Sequence, residues 1–187
     1  MRTDRSFALQ FPPADIPALA ARFGDSDDDA CLAAGAAARV RGRYTRGELL
    51  LLCAWKSPRS RPLVARNSPG RIARATGTAL AAAADEATRI AALLTLNGVG
   101  VPSASVLLHF AEPAAYPILD VRALESLGVK GRSVYPVSFW LAYLGACREL
   151  AAAHGVSLRT LDKALWQHSK ERSGMTSEVI AARTAPR

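Results

Sequence analysis

No segment of this 187-residue chain alternates apolar and polar residues at the period of two that a half-buried β-strand requires. Helix start signals recur instead. Thr45 and Glu48 have the spacing of a capping box ahead of the apolar run LLLLCAW, and Ser68 followed by Pro69 predicts another helix start. Because half of the residues are hydrophobic, the chain can bury a sizeable interior. We therefore predict an all-α fold.

The length suits one domain, built either as a single unit or as two small lobes. Residues 1–13 are polar and then interrupted by prolines, and residues 173–187 carry no sustained apolar period. We predict an N-terminal segment (1–13), a helical domain (14–172) and a flexible C-terminal tail (173–187). The predicted helices of the domain cover residues 15–23, 27–41, 45–56, 69–83, 86–96, 102–111, 121–127, 138–153 and 157–172.

The charge balance favours a polyanionic partner. The 24 Lys and Arg residues outnumber the 16 Asp and Glu residues, which gives a net charge of +8 and an isoelectric point near 10.0. Nucleic acid is the commonest polyanion that such a surface attracts. A composition rich in Ala and Arg is also typical of a GC-rich genome, so an incidental charge remains an alternative.

Cysteine spacing and hydropathy indicate the compartment. Cys31, Cys53 and Cys147 show neither CxxC nor iron–sulfur spacing, and their odd number favours reduced, buried thiols. No run approaches the ~18 to 20 apolar residues of a membrane span, and the first residues lack a signal-peptide pattern. We expect a cytoplasmic protein without membrane contact.

The segment 93–128 is the most informative part of the chain. Gly98 and Gly100 permit a tight turn between two helices, in which unpaired backbone N–H groups point outward. Such a turn can hold a DNA phosphate, because the free donors and the positive end of the second helix act together. The alternative is an ordinary αα-hairpin whose glycines only end one helix and begin the next.

Two runs carry a resemblance to a known family. LNGVGVPSA occupies residues 96–104, YPILD occupies residues 116–120, and Asp120 lies eighteen positions after Pro102. The pattern resembles the helix-hairpin-helix (HhH-GPD) DNA glycosylases, whose signature reads roughly L-P-G-V-G-x-K-T-A, then about eighteen residues, then an aspartate. The resemblance implies a helical bundle in two small lobes, double-stranded DNA as the partner, and Asp120 as the catalytic carboxylate. The implied DNA-binding residues of the hairpin are Asn97, Gly98, Val99, Gly100, Pro102, Ser103 and Ala104.

The departures from the family pattern narrow the expected chemistry. Family members that also cut the DNA strand carry a lysine where this chain has Pro102, and proline has no amine for a Schiff base. The resemblance therefore implies a monofunctional enzyme that hydrolyses the base–sugar bond. The family's frequent C-terminal cysteine cluster is absent from the sequence, so no iron–sulfur cofactor is implied. A monovalent cation bound by hairpin carbonyls would lie at Leu94, Leu96 and Val99.

Asp120 suits the implied role chemically. Breaking the base–sugar bond builds positive charge on the deoxyribose ring, and a carboxylate in a partly dry cleft stabilises that charge or orients the attacking water. The residue also stands where an aspartate ordinarily caps a helix, here 121–127. The two roles are compatible, since one oxygen can cap while the other faces the cleft.

Aromatic residues and a basic loop are the remaining candidates. A flipped base is held against flat surfaces, so Trp55, Tyr116 and Trp140 are candidate pocket residues, with core packing as the alternative. The loop WKSPRSRP adds Lys56, Arg59 and Arg61 as phosphate contacts, unless it is simply solvated. Lys56 is also the only lysine before Lys130, and hence the nearby candidate for a displaced amine nucleophile.

The last predicted helix carries Arg159, Asp162 and Trp166 at helical spacing, which we interpret as a structural staple. The three histidines show no metal-ligand spacing.

We therefore predict a monomeric glycosylase-like protein that binds DNA through the hairpin and hydrolyses a base–sugar bond with Asp120. The first alternative is an inactive binding module of the same fold that recognises DNA or RNA. The second is a helical interaction protein whose basic charge is incidental. The base that would be removed depends on pocket shape, which the sequence does not reveal.

Overall fold

The computed structural model describes residues 7–24 and 28–184, with side chains as far as residue 174. This part of the chain is helical and contains no strand, which confirms the all-α prediction. None of its helices is both long and apolar enough to cross a lipid bilayer. The ten α-helices are α1 (Ile16–Arg22), α2 (Asp29–Arg41), α3 (Arg46–Lys56), α4 (Arg61–Val64), α5 (Pro69–Leu80), α6 (Glu86–Leu94), α7 (Val101–Ala111), α8 (Val121–Ser126), α9 (Val137–Ala153) and α10 (Leu158–Thr184).

Local signals begin several of these helices. The Thr45 hydroxyl accepts a hydrogen bond from the Glu48 backbone N–H, and the Glu48 carboxylate accepts one from the Thr45 N–H, so the predicted capping box is formed. Ser68 caps α5 with proline at its first position, and Asp85 caps α6 by accepting from the Thr88 N–H. The start signals in the sequence were therefore sufficient to place these helices.

Two regions differ from the prediction. The loop after Lys56 contains a 3-10 turn (Pro58–Ser60) followed by α4, because its prolines occupy helix-starting positions. Helix α10 continues to Thr184, beyond the predicted end at Arg172. The extension carries no apolar period, so the hydrophobic pattern gave no sign of it.

Parts of three predictions lie outside the described residues: residues 1–6 of the N-terminal segment, the start of the second helix at Asp27, and residues 185–187 of the tail. Within the N-terminal segment, the backbone of Gln10 donates to the Ser126 carbonyl and the Phe7 ring contacts Tyr143 edge-on. Residues 7–11 therefore dock against α8 and α9.

Helix α7 is the centre of the fold. It packs against α2, α3, α5 and α6, and all of its residues except Pro102 are buried. A helix that is apolar on every side belongs in a core. The second helix of the predicted hairpin is thus the main internal support of the domain.

The three cysteines are buried, as predicted, and none of them forms a disulfide within the described residues. Burial raises the pKa of the Cys53 thiol to about 12, and it raises the pKa of Cys147 as well. Since the reactive species is the thiolate, these groups behave as packed apolar side chains.

Gly35 lets α2 approach α7 at backbone distance. A β-carbon built on Gly35 would lie 2.0 Å from the carbonyl oxygen of Phe110. Any side chain at this position must push the two helices apart. Gly35 in α2 is therefore a packing requirement.

We predict that Gly35→Ala destabilises the protein by about 3 kcal/mol, because the new methyl group overlaps the α7 backbone. Gly145→Ala in α9 is the matched control, since a β-carbon there meets nothing within 4 Å. It should stabilise the protein by about 0.5–1 kcal/mol through helix propensity. Urea unfolding measures both, and equal effects of the two variants would contradict the close approach of α2 and α7.

Candidate active site

A turn at residues 113–115 leads from α7 into an extended segment, residues 116–119, that runs through the protein interior to Asp120. Its backbone polar groups are satisfied by side chains from three helices. The Leu119 N–H donates to the Ser105 hydroxyl (2.9 Å), and the Ile118 N–H donates to Asp162 Oδ1 (3.2 Å). The Tyr143 hydroxyl donates to the Ile118 carbonyl (2.8 Å). These bonds fix the path of the chain immediately before Asp120.

His109 on α7 supports the start of the same segment. Its Nδ1 lies 2.7 Å from the Tyr116 carbonyl oxygen. A carbonyl only accepts hydrogen bonds, so Nδ1 carries a proton. Burial lowers the pKa of His109 below its ordinary value of 6.5, although the Asp162 carboxylate opposes that shift. The neutral imidazole is therefore the form that the fold stabilises near neutral pH.

Asp120 caps α8 with one oxygen and faces a cavity with the other. Its Oδ1 accepts from the Arg122 backbone N–H (2.8 Å). Its Oδ2 accepts from Lys56 Nζ (2.5 Å), and the side chains of Lys56 and Asp120 are only 13% and 24% exposed. The cap predicted from the sequence is formed, and the second oxygen is paired with Lys56.

The cavity around this pair has a volume of about 250 Å³. Phe23, Trp55 and Trp166 supply aromatic surface, and the rings of Phe23 and Trp166 contact each other edge-on at 5.1 Å between centroids. Such walls suit a flat heterocyclic ligand. The complete lining is Phe23, Trp55, Lys56, Ile118, Asp120, Ala123, Arg159, Asp162 and Trp166.

A charged network closes another side of the cavity. The Arg159 guanidinium donates to Asp162 Oδ2 (2.7 Å) and also to Asp28. Burial raises the pKa of Asp162, while His109 and Arg159 oppose the shift. Asp28 Oδ1 is buried and has no hydrogen-bond partner among the described residues. The cavity thus combines apolar walls with a few fixed polar groups, as ligand sites commonly do.

The predicted hairpin is present between α6 and α7, and Asn67 holds its turn. The Asn67 side chain donates to the Asn97 carbonyl (3.0 Å) and accepts from the Asn97 N–H (2.9 Å). Gly98 has a φ of +75°, and a β-carbon there would lie 2.8 Å from the Leu63 side chain. The turn therefore requires glycine both for its backbone conformation and for its contact with α4.

Fewer hairpin amides are free than the sequence suggested. The Asn97 N–H is used by Asn67, and the Val99 N–H donates to the Leu96 carbonyl (3.2 Å). In the described structure, the N–H groups of Gly98, Gly100, Val101 and Ser103 have no intramolecular acceptor. Pro102 has no N–H to offer. Most of the remaining donors lie at the start of α7.

The basic loop lies beside the hairpin, because α4 packs against Gly98. Arg59 and Arg61 of this loop are exposed. At the end of α6, where the hairpin turn begins, the Arg71 guanidinium donates to the Thr95 carbonyl. Positive side chains therefore accompany the free amides.

The other predicted site residues are divided between cavity and core. Trp55 and Lys56 line the cavity, whereas Tyr116 and Trp140 are buried and do not belong to its lining. The Tyr116 ring contacts the Arg148 guanidinium instead. Trp55 is therefore a pocket residue, whereas Tyr116 and Trp140 are core residues.

Several residues of the cavity were missed or interpreted only as structural. Arg159 and Asp162 do form the predicted staple, but together with Trp166 they also face the cavity. The helical spacing of these three residues, which places them on one side of α10, was the signal in the sequence that they lie together. Phe23 and Asp28 come from distant parts of the chain and had no signal.

Comparisons of this chain with protein-family models, curated proteins and solved structures find no match. The chemistry of the site is therefore the basis on which a function is assigned.

We predict that folding stability falls as the pH drops below about 6.5, because the unfolded chain protonates His109 there and the folded chain does so only at lower pH. His109→Gln retains a donor for the Tyr116 carbonyl but does not titrate. It should reduce the slope by up to ~1.4 kcal/mol per pH unit. Burial also lowers the pKa of His168, so some slope should remain. Urea unfolding between pH 5 and 8 tests this, and an unchanged slope would contradict the assignment.

Proposed function

We propose that the protein is a DNA N-glycosylase that cleaves the bond between a base and its deoxyribose with the assistance of Asp120. One observation carries the proposal: a fixed carboxylate oxygen faces a cavity of about 250 Å³ with aromatic walls. This volume is below the ~300–1,000 Å³ of drug-sized sites and suits a single base. The superfamily membership implied by the hairpin and by YPILD is part of this proposal.

The reaction requires the stabilisation of positive charge. As the base leaves, positive charge develops on the sugar, and the carboxylate of Asp120 stabilises it. The base stacks on Trp55 and Trp166, and the Arg159 guanidinium offers hydrogen-bond donors to exocyclic acceptors. Water completes the hydrolysis and leaves an abasic site.

DNA binds before the reaction, through a surface that is separate from the cavity. The amides at the start of α7 receive a phosphate of double-stranded DNA, and Arg59 and Arg61 contact neighbouring phosphates. The protein acts as a monomer. A monovalent cation bound by the Leu94, Leu96 and Val99 carbonyls would add positive charge to this surface; one of these carbonyls, that of Leu96, already accepts from the Val99 N–H.

The inactive binding module remains a second candidate, favoured by one contact. The Lys56 ammonium occupies the Asp120 oxygen that faces the cavity. A carboxylate held in such an ion pair is not available to a water molecule until the pair opens.

DNA binding should be electrostatic, so log affinity should fall linearly with log salt concentration. Gly100→Leu should weaken binding to all duplexes about tenfold, because the exposed turn could no longer approach a phosphate. Gly145→Leu in α9 is the control and should bind as the wild type does. Fluorescence anisotropy measures all three proteins. Binding that is insensitive to salt, or an equal loss in both variants, would contradict the proposed surface.

Asp120→Asn should lower the rate of base release by about 10²–10³, because the charge that stabilises the sugar is lost. Asparagine keeps an oxygen for the cap, so a stability loss of ~1 kcal/mol and a melting temperature lower by about 3 °C are expected. The measurement is single-turnover base release from duplexes with damaged, mismatched and modified bases.

The three outcomes of that measurement lead to different conclusions. Full activity in Asp120→Asn removes this residue from the chemistry. Reduced activity with retained duplex affinity supports the glycosylase. Binding without base release by either protein, across the whole panel, favours the binding module.

A further inference from the structure

We propose that Lys56 is an amine nucleophile, and that the cavity therefore has a second activity, the cleavage of DNA at an abasic site. This inference rests on the proposed function only in taking deoxyribose as the ligand beside Asp120. It differs from the monofunctional reaction that Pro102 implies. The amine comes from a different helix, at the lysine that the sequence offers as a candidate displaced nucleophile.

The geometry distinguishes Lys56 from the other lysines. It ends α3, its side chain is 13% exposed, and its Nζ lies 2.5 Å from Asp120 Oδ2 at the wall of the cavity. Lys130 and Lys170 are exposed, and Lys163 lies over the outer side of the site, 5.5 Å from the Phe23 ring centroid. Within the described part of the chain, Lys56 is the lysine that lines the cavity with the carboxylate.

A purely structural ion pair explains this arrangement less well. Withdrawing an ammonium and a carboxylate from water is costly, and a single contact between them rarely compensates for the loss. The structure gives Lys56 Nζ one hydrogen-bond acceptor among the described residues, namely Asp120. Helices α3 and α8 are already held by other partners, α7 and α10 respectively. The pair is therefore not needed to hold its two helices in place.

The pair supplies both groups that imine formation requires. The Asp120 carboxylate accepts a proton from the Lys56 ammonium, and the free amine attacks the C1′ aldehyde of the open abasic sugar. Asp120 returns the proton to the C1′ hydroxyl of the carbinolamine, which leaves as water as the C=N bond forms. The products of this step are water, the protonated imine on Lys56 and an ionised Asp120.

Strand cleavage follows from the imine by elimination. The Asp120 carboxylate accepts a proton from C2′, the electron pair forms the C2′–C3′ double bond, and the C3′–O bond breaks. The leaving group is the phosphate of the downstream strand, released as a 5′-phosphomonoester. Water then adds to the protonated imine and releases the unsaturated aldehyde and Lys56 as its ammonium, while Asp120 passes the C2′ proton to solvent. No oxidant, reductant or metal takes part.

The test uses the full chain and a duplex with one preformed abasic site, so it does not depend on which base is released. Sodium borohydride is present during the incubation, because it reduces an imine to a stable amine. We expect a covalent protein–DNA adduct that peptide mass spectrometry maps to Lys56, and, without borohydride, a nick at the abasic site.

Two variants separate nucleophilicity from structure. Lys56→Arg keeps the positive charge and the Asp120 partner but not the nucleophilic amine, so it should bind the abasic duplex normally and lose at least tenfold in adduct. Lys163→Ala is the control, since it removes a lysine beside the site that does not line the cavity. It should trap as the wild type does.

The outcomes for this proposal and for the glycosylase are distinct. An adduct at another residue or at the chain N-terminus, or no adduct, overturns the role of Lys56, even if base release is observed. An adduct at Lys56 supports it, even if no base is released from any duplex, in which case it is the glycosylase proposal that fails.

Discussion

The site depends on a stretch of extended chain that passes through a helical core. Backbone donors and acceptors there cannot pair within a helix, and burying them unpaired would be costly. Ser105, Tyr143 and Asp162 supply the missing partners from α7, α9 and α10. Each of these helices is thereby tied to the residues that immediately precede Asp120. The position of the carboxylate is a result of core packing rather than of a mobile surface loop.

The same arrangement explains why charged groups can be buried near the site. Asp162 serves both the Ile118 backbone and Arg159, and Arg159 in turn contacts Asp28. Each charge has a partner, so the desolvation cost is shared across a network. The network borders the cavity, where the side chains of Asp120 and Lys56 are in contact. A ligand that enters can exchange contacts with groups that the fold already holds in place.

The helices could be predicted from the sequence, because caps and helix-starting prolines act over a few residues. The helix cap formed by Asp120 was also accessible, since its position before α8 is local information. The cavity was not accessible. Phe23, Trp55 and Trp166 come from three helices, and periodicity places a residue on a face of its own helix without showing which faces meet. Lys56 was a candidate amine from its position in the sequence, but its contact with Asp120 could not be predicted, and Asn67 had no signal before Asn97 was placed beside it.

The account is tested most directly by a crystal structure of the full chain bound to a duplex that contains a tetrahydrofuran analogue of the abasic site. The analogue cannot form an imine, so the complex shows where the sugar lies before chemistry. We predict that the analogue ring lies at the cavity, with Asp120 and Lys56 within hydrogen-bonding reach of it and a phosphate at the start of α7. A duplex bound on another face, with the analogue remote from Asp120, would contradict the account.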